Sequence, residues 1–66
     1  MSIETDPALE LLTIPEVARL LKLSVPSVRR LQQQRRIPFF KVGGTIRFNK
    51  SDVATYLMNR RVEPID

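Results

Sequence analysis

The sequence contains no cysteine and no histidine, and these absences exclude several kinds of structure. A chain of 66 residues buries only a small core, and without cysteine no disulfide reinforces it. Histidine and cysteine are also the usual ligands of a structural zinc ion. We therefore expect one compact domain that depends on its own hydrophobic core and holds no metal ion and no cofactor.

Residues that build catalytic sites are equally scarce. The carboxylates form no dense cluster, and the candidate nucleophiles Ser24 and Ser27 have no evident base partner. The pair Gly43-Gly44 lacks the Lys-Ser/Thr of a phosphate-binding loop and is better explained as a hairpin turn. The sequence therefore predicts a protein that is not an enzyme and binds no small-molecule ligand.

Long hydrophobic runs are missing as well. No apolar stretch approaches the roughly 20 residues that a membrane-spanning helix needs. The first six residues include Glu4 and Asp6 and lack the basic start and apolar stretch of a signal peptide. We therefore expect a cytoplasmic protein without a membrane partner.

Acidic residues are absent from the whole middle of the chain. Between Glu16 and Asp52 the sequence has no carboxylate but nine basic residues: Arg19, Lys22, Arg29, Arg30, Arg35, Arg36, Lys41, Arg47 and Lys50. In a typical solvated surface, charges of both signs are interspersed. This segregation instead indicates one strongly positive region that binds a polyanion.

Two short helices joined by a tight turn are predicted after an N-terminal arm of residues 1–12. Thr13 and Glu16 form a capping box, and an apolar stripe continues to about Lys22: Ile14, Val17, Ala18 and Leu21. Ser24 caps a second helix that runs to about Gln34. Only about two residues separate the helices, which predicts a helix-turn-helix.

The outer face of the second helix carries cations and hydrogen-bonding groups but no carboxylate. Val28 and Leu31 form its narrow apolar side, and the residues on or beside the opposite face are Pro26, Ser27, Arg29, Arg30, Gln33 and Gln34. Glutamines alone would suit an ordinary polar surface. Together with two arginines on the second helix after a tight turn, they favour a face that binds DNA.

A hairpin around Gly43-Gly44 is predicted next, and its register can be chosen by the sidedness of the strands. A two-residue loop would mix polar and apolar side chains on both faces. A three-residue loop of Gly43-Gly44-Thr45 separates them and places Lys41 opposite Arg47 on the outside. We therefore expect the three-residue loop, in which an anionic partner would relieve the repulsion between these two cations.

A third helix is predicted to start near Asn49, with Asp52 in its first turn. Val53, Ala54 and Leu57 are expected in the core, with Tyr56 or Met58 at its margin. The last turn is expected to hold two cations that suit the helix dipole, Arg60 and Arg61. The predicted fold is thus a mainly α winged helix-turn-helix over residues 13–59, followed by a tail of residues 60–66.

Several segments, in this order, resemble the excisionase family: Thr13-Ile14-Pro15-Glu16-Val17-Ala18, Ser27-Val28-Arg29-Arg30-Leu31, Lys41-Val42-Gly43-Gly44 and Arg47-Phe48-Asn49-Lys50-Ser51-Asp52-Val53. These small winged-helix proteins are related to the DNA-binding domains of MerR-type regulators and to AlpA-like phage regulators. The resemblance covers residues 12–58. It implies that the second helix enters the major groove and that the hairpin wing touches the minor groove or the backbone.

The resemblance also implies roles for individual residues. Ser27, Arg30 and Gln33 take the base-facing positions, flanked by Pro26, Arg29 and Gln34. The wing and backbone contacts are Arg36, Lys41, Gly43, Gly44, Thr45 and Arg47. Two positions depart from the family pattern: Arg35 replaces the usual glycine, which would shift the helix end, and Thr45 replaces a basic wing tip.

Two functions are compatible with this resemblance. An excisionase, or recombination directionality factor, bends DNA and directs a tyrosine-type integrase to excise a prophage or mobile element. A MerR/AlpA-like transcription regulator uses the same fold. MerR-type regulators add a dimerising helix and an effector domain, and a chain ending at Asp66 leaves no room for them, which favours the excisionase. A third possibility, a module that binds a protein partner, explains the arginine and glutamine face of the second helix less well than DNA binding does.

The excisionase function implies a set of partners. These are double-stranded DNA, a tyrosine-type integrase, and further copies of the chain bound cooperatively head to tail on the DNA. It also implies a location in the bacterial cytoplasm, associated with the nucleoid.

Overall fold

The computed structural model describes residues 9–65, which form three helices and three short strands. In chain order these are β1 (Leu11–Leu12), α1 (Ile14–Leu21), α2 (Val25–Gln33), β2 (Phe40–Val42), β3 (Thr45–Asn49) and α3 (Lys50–Met58). This confirms the predicted winged helix-turn-helix. Most of the expected N-terminal arm, residues 1–8, and the last residue of the tail lie outside the described residues. No helix in the described chain has the length and apolar character needed to cross a bilayer.

Side-chain caps define where α1 and α2 begin. The Thr13 hydroxyl accepts the Glu16 backbone N–H at 3.2 Å, and the Glu16 carboxylate accepts the Thr13 N–H at 2.8 Å. The Ser24 hydroxyl accepts the Ser27 N–H at 3.2 Å. Each bond satisfies an amide that has no partner within its helix. The predicted capping box and second N-cap are confirmed, as is the tight turn between the helices.

A left-handed residue that is not glycine follows shortly after the last residue of α1 and of α2. Lys22 has a φ of 59° and Arg35 a φ of 56°. After each one, the next amide reaches back five residues: Leu23 N–H to Ala18 O at 2.9 Å, and Arg36 N–H to Leu31 O at 2.9 Å. This is the Schellman arrangement, in which glycine is preferred because a side chain strains the left-handed backbone. Arg35 therefore adopts the left-handed conformation that glycine favours, and α2 ends at Gln33, one residue before the predicted end.

Seven side chains from five parts of the chain form the core. They are Ile14, Val17 and Ala18 of α1, Val28 of α2, Ile37 of the following loop, Phe48 of β3 and Val53 of α3. The predicted apolar faces of α1 and α2 are confirmed, since Leu21 and Leu31 pack against this cluster. Ile37, only 1% exposed, was not predicted as a core residue.

Strand β1 was not predicted. The expected arm extended to residue 12, but Leu11 and Leu12 pair antiparallel with Asn49 and Phe48 of β3, which gives the sheet order β1-β3-β2. The Lys50 N–H donates to the Glu10 carbonyl at 2.8 Å just beyond this pairing. Two paired residues are too few to show the alternation by which a strand is recognised in a sequence.

The predicted register of the wing is wrong. The strands pair Val42 with Thr45, Lys41 with Ile46 and Phe40 with Arg47, which leaves a loop of two residues. Gly43 and Gly44 have φ values of 56° and 84°. Positive φ at both central residues is the type I′ turn, whose twist matches that of the flanking strands. Turn geometry therefore outweighs the separation of polar and apolar faces, and Phe40 and Val42 are about half exposed, at 45% and 52%.

The start of α3 is as predicted, but its buried face is rotated. Asn49 caps the helix by accepting the Ser51 N–H at 3.2 Å, and Asp52 lies in the first turn. Val53 is buried and Tyr56 packs at the margin of the core. The expected core residues Ala54 and Leu57 are exposed, because the inner face runs through positions 52, 53 and 56.

The two arginines expected in the last turn of α3 lie beyond its end. The helix stops at Met58, which is exposed, and Asn59 is the C-cap. Arg60 and Arg61 follow in the tail, where their N–H groups donate to carbonyls of the last turn at 3.0 and 3.2 Å.

Candidate nucleic-acid interface

The outer face of α2 is free of contacts with the core. Val28 is buried and Leu31 is half-buried, so the helix packs through one side only. The structure places five of the six predicted recognition residues on exposed positions of this helix and its C-cap: Pro26, Arg29, Arg30, Gln33 and Gln34. They form one accessible surface of cations and amides.

Ser27 is the sixth predicted recognition residue, and it is partly occupied by the helix cap. It is half-buried, and its hydroxyl lies 2.8 Å from the hydroxyl of Ser24. A hydroxyl offers one donor and two acceptor sites. Ser27 can therefore bind one further group while it remains paired with Ser24.

The wing presents two cations on opposite faces of the hairpin. Lys41 is exposed and lies opposite Ile46, whereas Arg47 lies opposite Phe40. The predicted pairing of Lys41 with Arg47 is therefore wrong, and the repulsion that an anion would have relieved is absent. At the exposed tip, the Thr45 hydroxyl donates to the Val42 carbonyl at 2.6 Å beside Gly43 and Gly44.

Arg47 is held in place by its own strand. It is half-buried, and its Nη1 donates to the Ile46 carbonyl at 2.8 Å. A guanidinium carries five N–H donors, so one bond leaves most of them available to an anion. The bond restricts part of the side chain, so less side-chain entropy would be lost in a contact with an anion.

The positive middle of the sequence stays positive after folding. Of the nine cations between Glu16 and Asp52, only Lys50 has a carboxylate partner within residues 9–65, the Glu10 side chain at 3.7 Å. Both members of that pair are exposed, where an ion pair contributes little. Eight cations are therefore available to a polyanion on α1, α2, the connecting loops and the wing.

Glu16, at the edge of this region, is engaged in the cap of α1. Hydrogen bonds from the backbone and side chain of Thr13 hold the pKa of Glu16 below its usual value, and Arg19 and Arg47 act in the same direction. Its carboxylate is thus ionised at neutral pH. Its hydrogen bond to the amide of Thr13 holds it at the start of α1.

A family model described as a helix-turn-helix domain matches residues 11–61 of the chain. The chain belongs to this family. The match includes β1, both helices of the motif, the wing and all of α3. Helix-turn-helix domains bind double-stranded DNA sequence-specifically through the second helix, and this family is typically non-enzymatic. Comparison with curated proteins and with solved structures found no match.

The helix-turn-helix domain has two exposed arginines beside α2, and the sequence predicted a DNA contact only for Arg36. Arg35 and Arg36 line an open groove formed by the loop after α2. Arg36, which was predicted to contact the backbone, also lines a second groove with Arg60 of the tail. The one signal for Arg35 in the sequence is its place at a position where glycine is usual.

Proposed function

We propose that this helix-turn-helix protein is an excisionase that bends DNA and directs a tyrosine-type integrase toward excision. The observation that carries the DNA-binding mode is the exposed face of α2, which holds arginine and glutamine side chains and no carboxylate. The excisionase role is supported by the resemblance of the helix, wing and third-helix segments to that family.

In the proposed complex, α2 lies in the major groove. Arg30 and Gln33 face the base edges, where a guanidinium pairs with guanine and an amide with adenine. Ser27 adds a hydroxyl contact to either kind of base. Pro26, Arg29 and Gln34 flank these contacts at the walls of the groove.

The wing and the loop before it contact the DNA backbone in this proposal. Arg36, Lys41 and Arg47 supply cations for phosphates, and these contacts position the protein without reading the sequence. Gly43, Gly44 and Thr45 form a narrow tip without a charged side chain. The tip therefore approaches the minor groove or the adjacent backbone through its backbone groups and the Thr45 hydroxyl.

The architectural part of the proposal requires several copies on one DNA segment. A single module of this kind buries only about 600–1,000 Å² on DNA. Bending a duplex by a large angle costs on the order of 1–6 kcal/mol, which one weak module does not sustain. We propose that copies bind adjacent sites head to tail, with an acidic end of one copy against the basic middle of the next. Such a contact does not close on itself and extends along the duplex.

Stepwise titration of a duplex containing sites selected from a random pool tests this function. Electrophoresis should show successive cooperative complexes whose bend grows with each copy, while sedimentation of the free protein shows a monomer. Adding a tyrosine-type integrase and its attachment-site DNA should yield excision products only when the protein is present. A single symmetric dimer on a palindromic site would contradict the excisionase role and favour a transcription regulator.

A further inference from the structure

A second groove, of about 240 Å³, lies between the loop after α2 and one side of α3. None of the predicted base or wing contacts except Arg36 belongs to it. Its polar side chains come from both walls: Arg36, Asp52, Thr55, Tyr56, Asn59 and Arg60. Because one wall follows directly from the C-terminal end of α2, the groove adjoins the helix that binds DNA.

Two arginines reach this groove from distant parts of the chain. Arg36 follows the end of α2, and Arg60 follows the end of α3. Both are exposed, and neither has a carboxylate within 4.0 Å in the described part of the chain. Two guanidinium groups beside one groove, both without an ionic partner, form a site for an anion.

Arg60 is held in position by an aromatic ring. Its guanidinium carbon lies 4.2 Å from the centroid of the Tyr56 ring, a cation–π distance. Tyr56 itself packs against the hydrophobic core, so its ring is fixed relative to the domain. The ring therefore restricts Arg60 before any ligand binds, which reduces the entropy cost of an ionic contact.

We propose that this groove binds a phosphate of the DNA backbone beside the major groove occupied by α2, with Arg36 and Arg60 as its contacts. The inference rests on the proposed placement of α2. A helix in the major groove has its ends next to the phosphate strands that form the groove walls. A planar guanidinium matches two oxygens of one phosphate, and the side chains of Thr55 and Asn59 add neutral donors.

Asp52 is the one carboxylate in the groove, and it opposes a bound phosphate. It lies in the first turn of α3, whereas Arg60 lies eight positions later. The helix ends at Met58, so Arg60 lies two positions beyond it. Two cations and one carboxylate leave the groove with a net positive charge. The site therefore predicts opposite effects for the removal of Arg60 and of Asp52.

Arg61 is a matched control for Arg60. The two residues are adjacent, and each substitution by alanine removes one positive charge. Arg61, however, is paired with Glu63 at 2.9 Å and is not part of the groove. A general effect of net charge on DNA binding would be equal in the two variants, whereas a specific phosphate contact would be lost only in Arg60→Ala.

The test is the salt dependence of duplex binding by the full chain. Arg60→Ala should weaken binding several-fold and reduce the slope of log K against log salt by about 0.9, the change for one phosphate. Arg61→Ala should keep the wild-type slope, and Asp52→Asn should bind more tightly than wild type. Thermal unfolding of each variant, followed by circular dichroism, checks that the fold is retained.

Equal slopes for Arg60→Ala and Arg61→Ala would overturn the proposal, since Arg60 would then only complement the carbonyl end of α3. Weaker binding by Asp52→Asn in a folded protein would also overturn it. If only the groove proposal is wrong, the wild-type protein still binds duplex DNA with the expected salt dependence. If the wild-type protein shows no salt-dependent binding to duplex DNA, both the groove and the proposed function are wrong.

Discussion

At the scale of single residues, the two adjacent arginines of α2 are expected to contribute differently to DNA binding. Arg30→Ala should cost about 1–3 kcal/mol and relax discrimination at one base pair, because its guanidinium faces a base edge in the proposed complex. Arg29→Ala removes the same charge at the flank of the helix and should weaken binding to all sequences about equally. Affinities for a selected site and its single-base variants measure the difference.

A uniform loss of affinity in Arg30→Ala would contradict this assignment, since it would mean that α2 lies in the groove with another face toward the bases. If Arg30→Ala lowers affinity uniformly and Arg29→Ala loses discrimination, α2 is rotated about its axis so that Arg29 faces the bases. Successive residues on a helix point about 100° apart, which gives the direction of that rotation.

The residues whose roles could be predicted are those that interact with near neighbours in the sequence. Thr13, Ser24 and Asn49 cap their helices through bonds to amides two or three positions later, so a short stretch of sequence contained the whole interaction. Ile37 lies in a loop and belongs to a core whose other members come from α1, α2, β3 and α3, which no local pattern describes. The left-handed Arg35 belongs to the Schellman closure of α2, in which glycine is the usual residue, so its conformation could not be predicted from its side chain.

At the scale of elements, the register of the wing is set by the geometry of its turn and not by the separation of polar and apolar side chains between its two faces. The sequence predicted the hairpin and its two glycines, but not its register. Separation of faces favoured a three-residue loop, whereas the positive φ values of Gly43 and Gly44 produce a two-residue turn. As a result, Phe40 and Val42 remain about half exposed.

The two-residue turn can be tested at Gly43. A Cβ added there meets no atom within 4 Å, so any loss of stability comes from backbone strain. Gly43→Ala should destabilise the protein by about 1 kcal/mol, because alanine strains at positive φ. Gly43→Asn should be close to neutral, since Asn-Gly is the preferred pair in a type I′ turn. Thermal unfolding of the two variants measures the contrast.

Equal stability of Gly43→Ala and the wild-type protein would contradict this turn. It would indicate the three-residue loop instead, in which the left-handed conformation falls on Thr45 and Gly43 needs no positive φ.

Strand β1 and helix α3 show two further limits of periodicity. The pairing of Leu11 and Leu12 with β3 involves too few residues for a pattern. In α3, the apolar residues Val53, Ala54 and Leu57 suggested one face, but the helix packs through Val53 and Tyr56. In a short helix with apolar residues on two sides, the sequence of the helix does not determine which side is buried. That depends on how the helix packs against the neighbouring strand.

At the scale of the whole molecule, the distribution of charge was the most reliable guide to function. The absence of carboxylates between Glu16 and Asp52 needed no structure to be seen, and among residues 9–65 only Lys50 of the nine cations in that region has a carboxylate partner. The distribution of charge along the sequence did not predict that an arginine of the tail lies beside α2. Arg60 reaches the groove beside α2 only because α3 returns along the loop that follows α2.

The central claim, that this domain binds double-stranded DNA through a positive surface built on α2 and the wing, is tested most directly by the salt dependence of binding. Equilibrium affinity for a duplex is measured over a range of salt concentrations. If four to six cations contact phosphates, log K should fall against log salt with a slope of about −4 to −5. A slope near zero would contradict the claim.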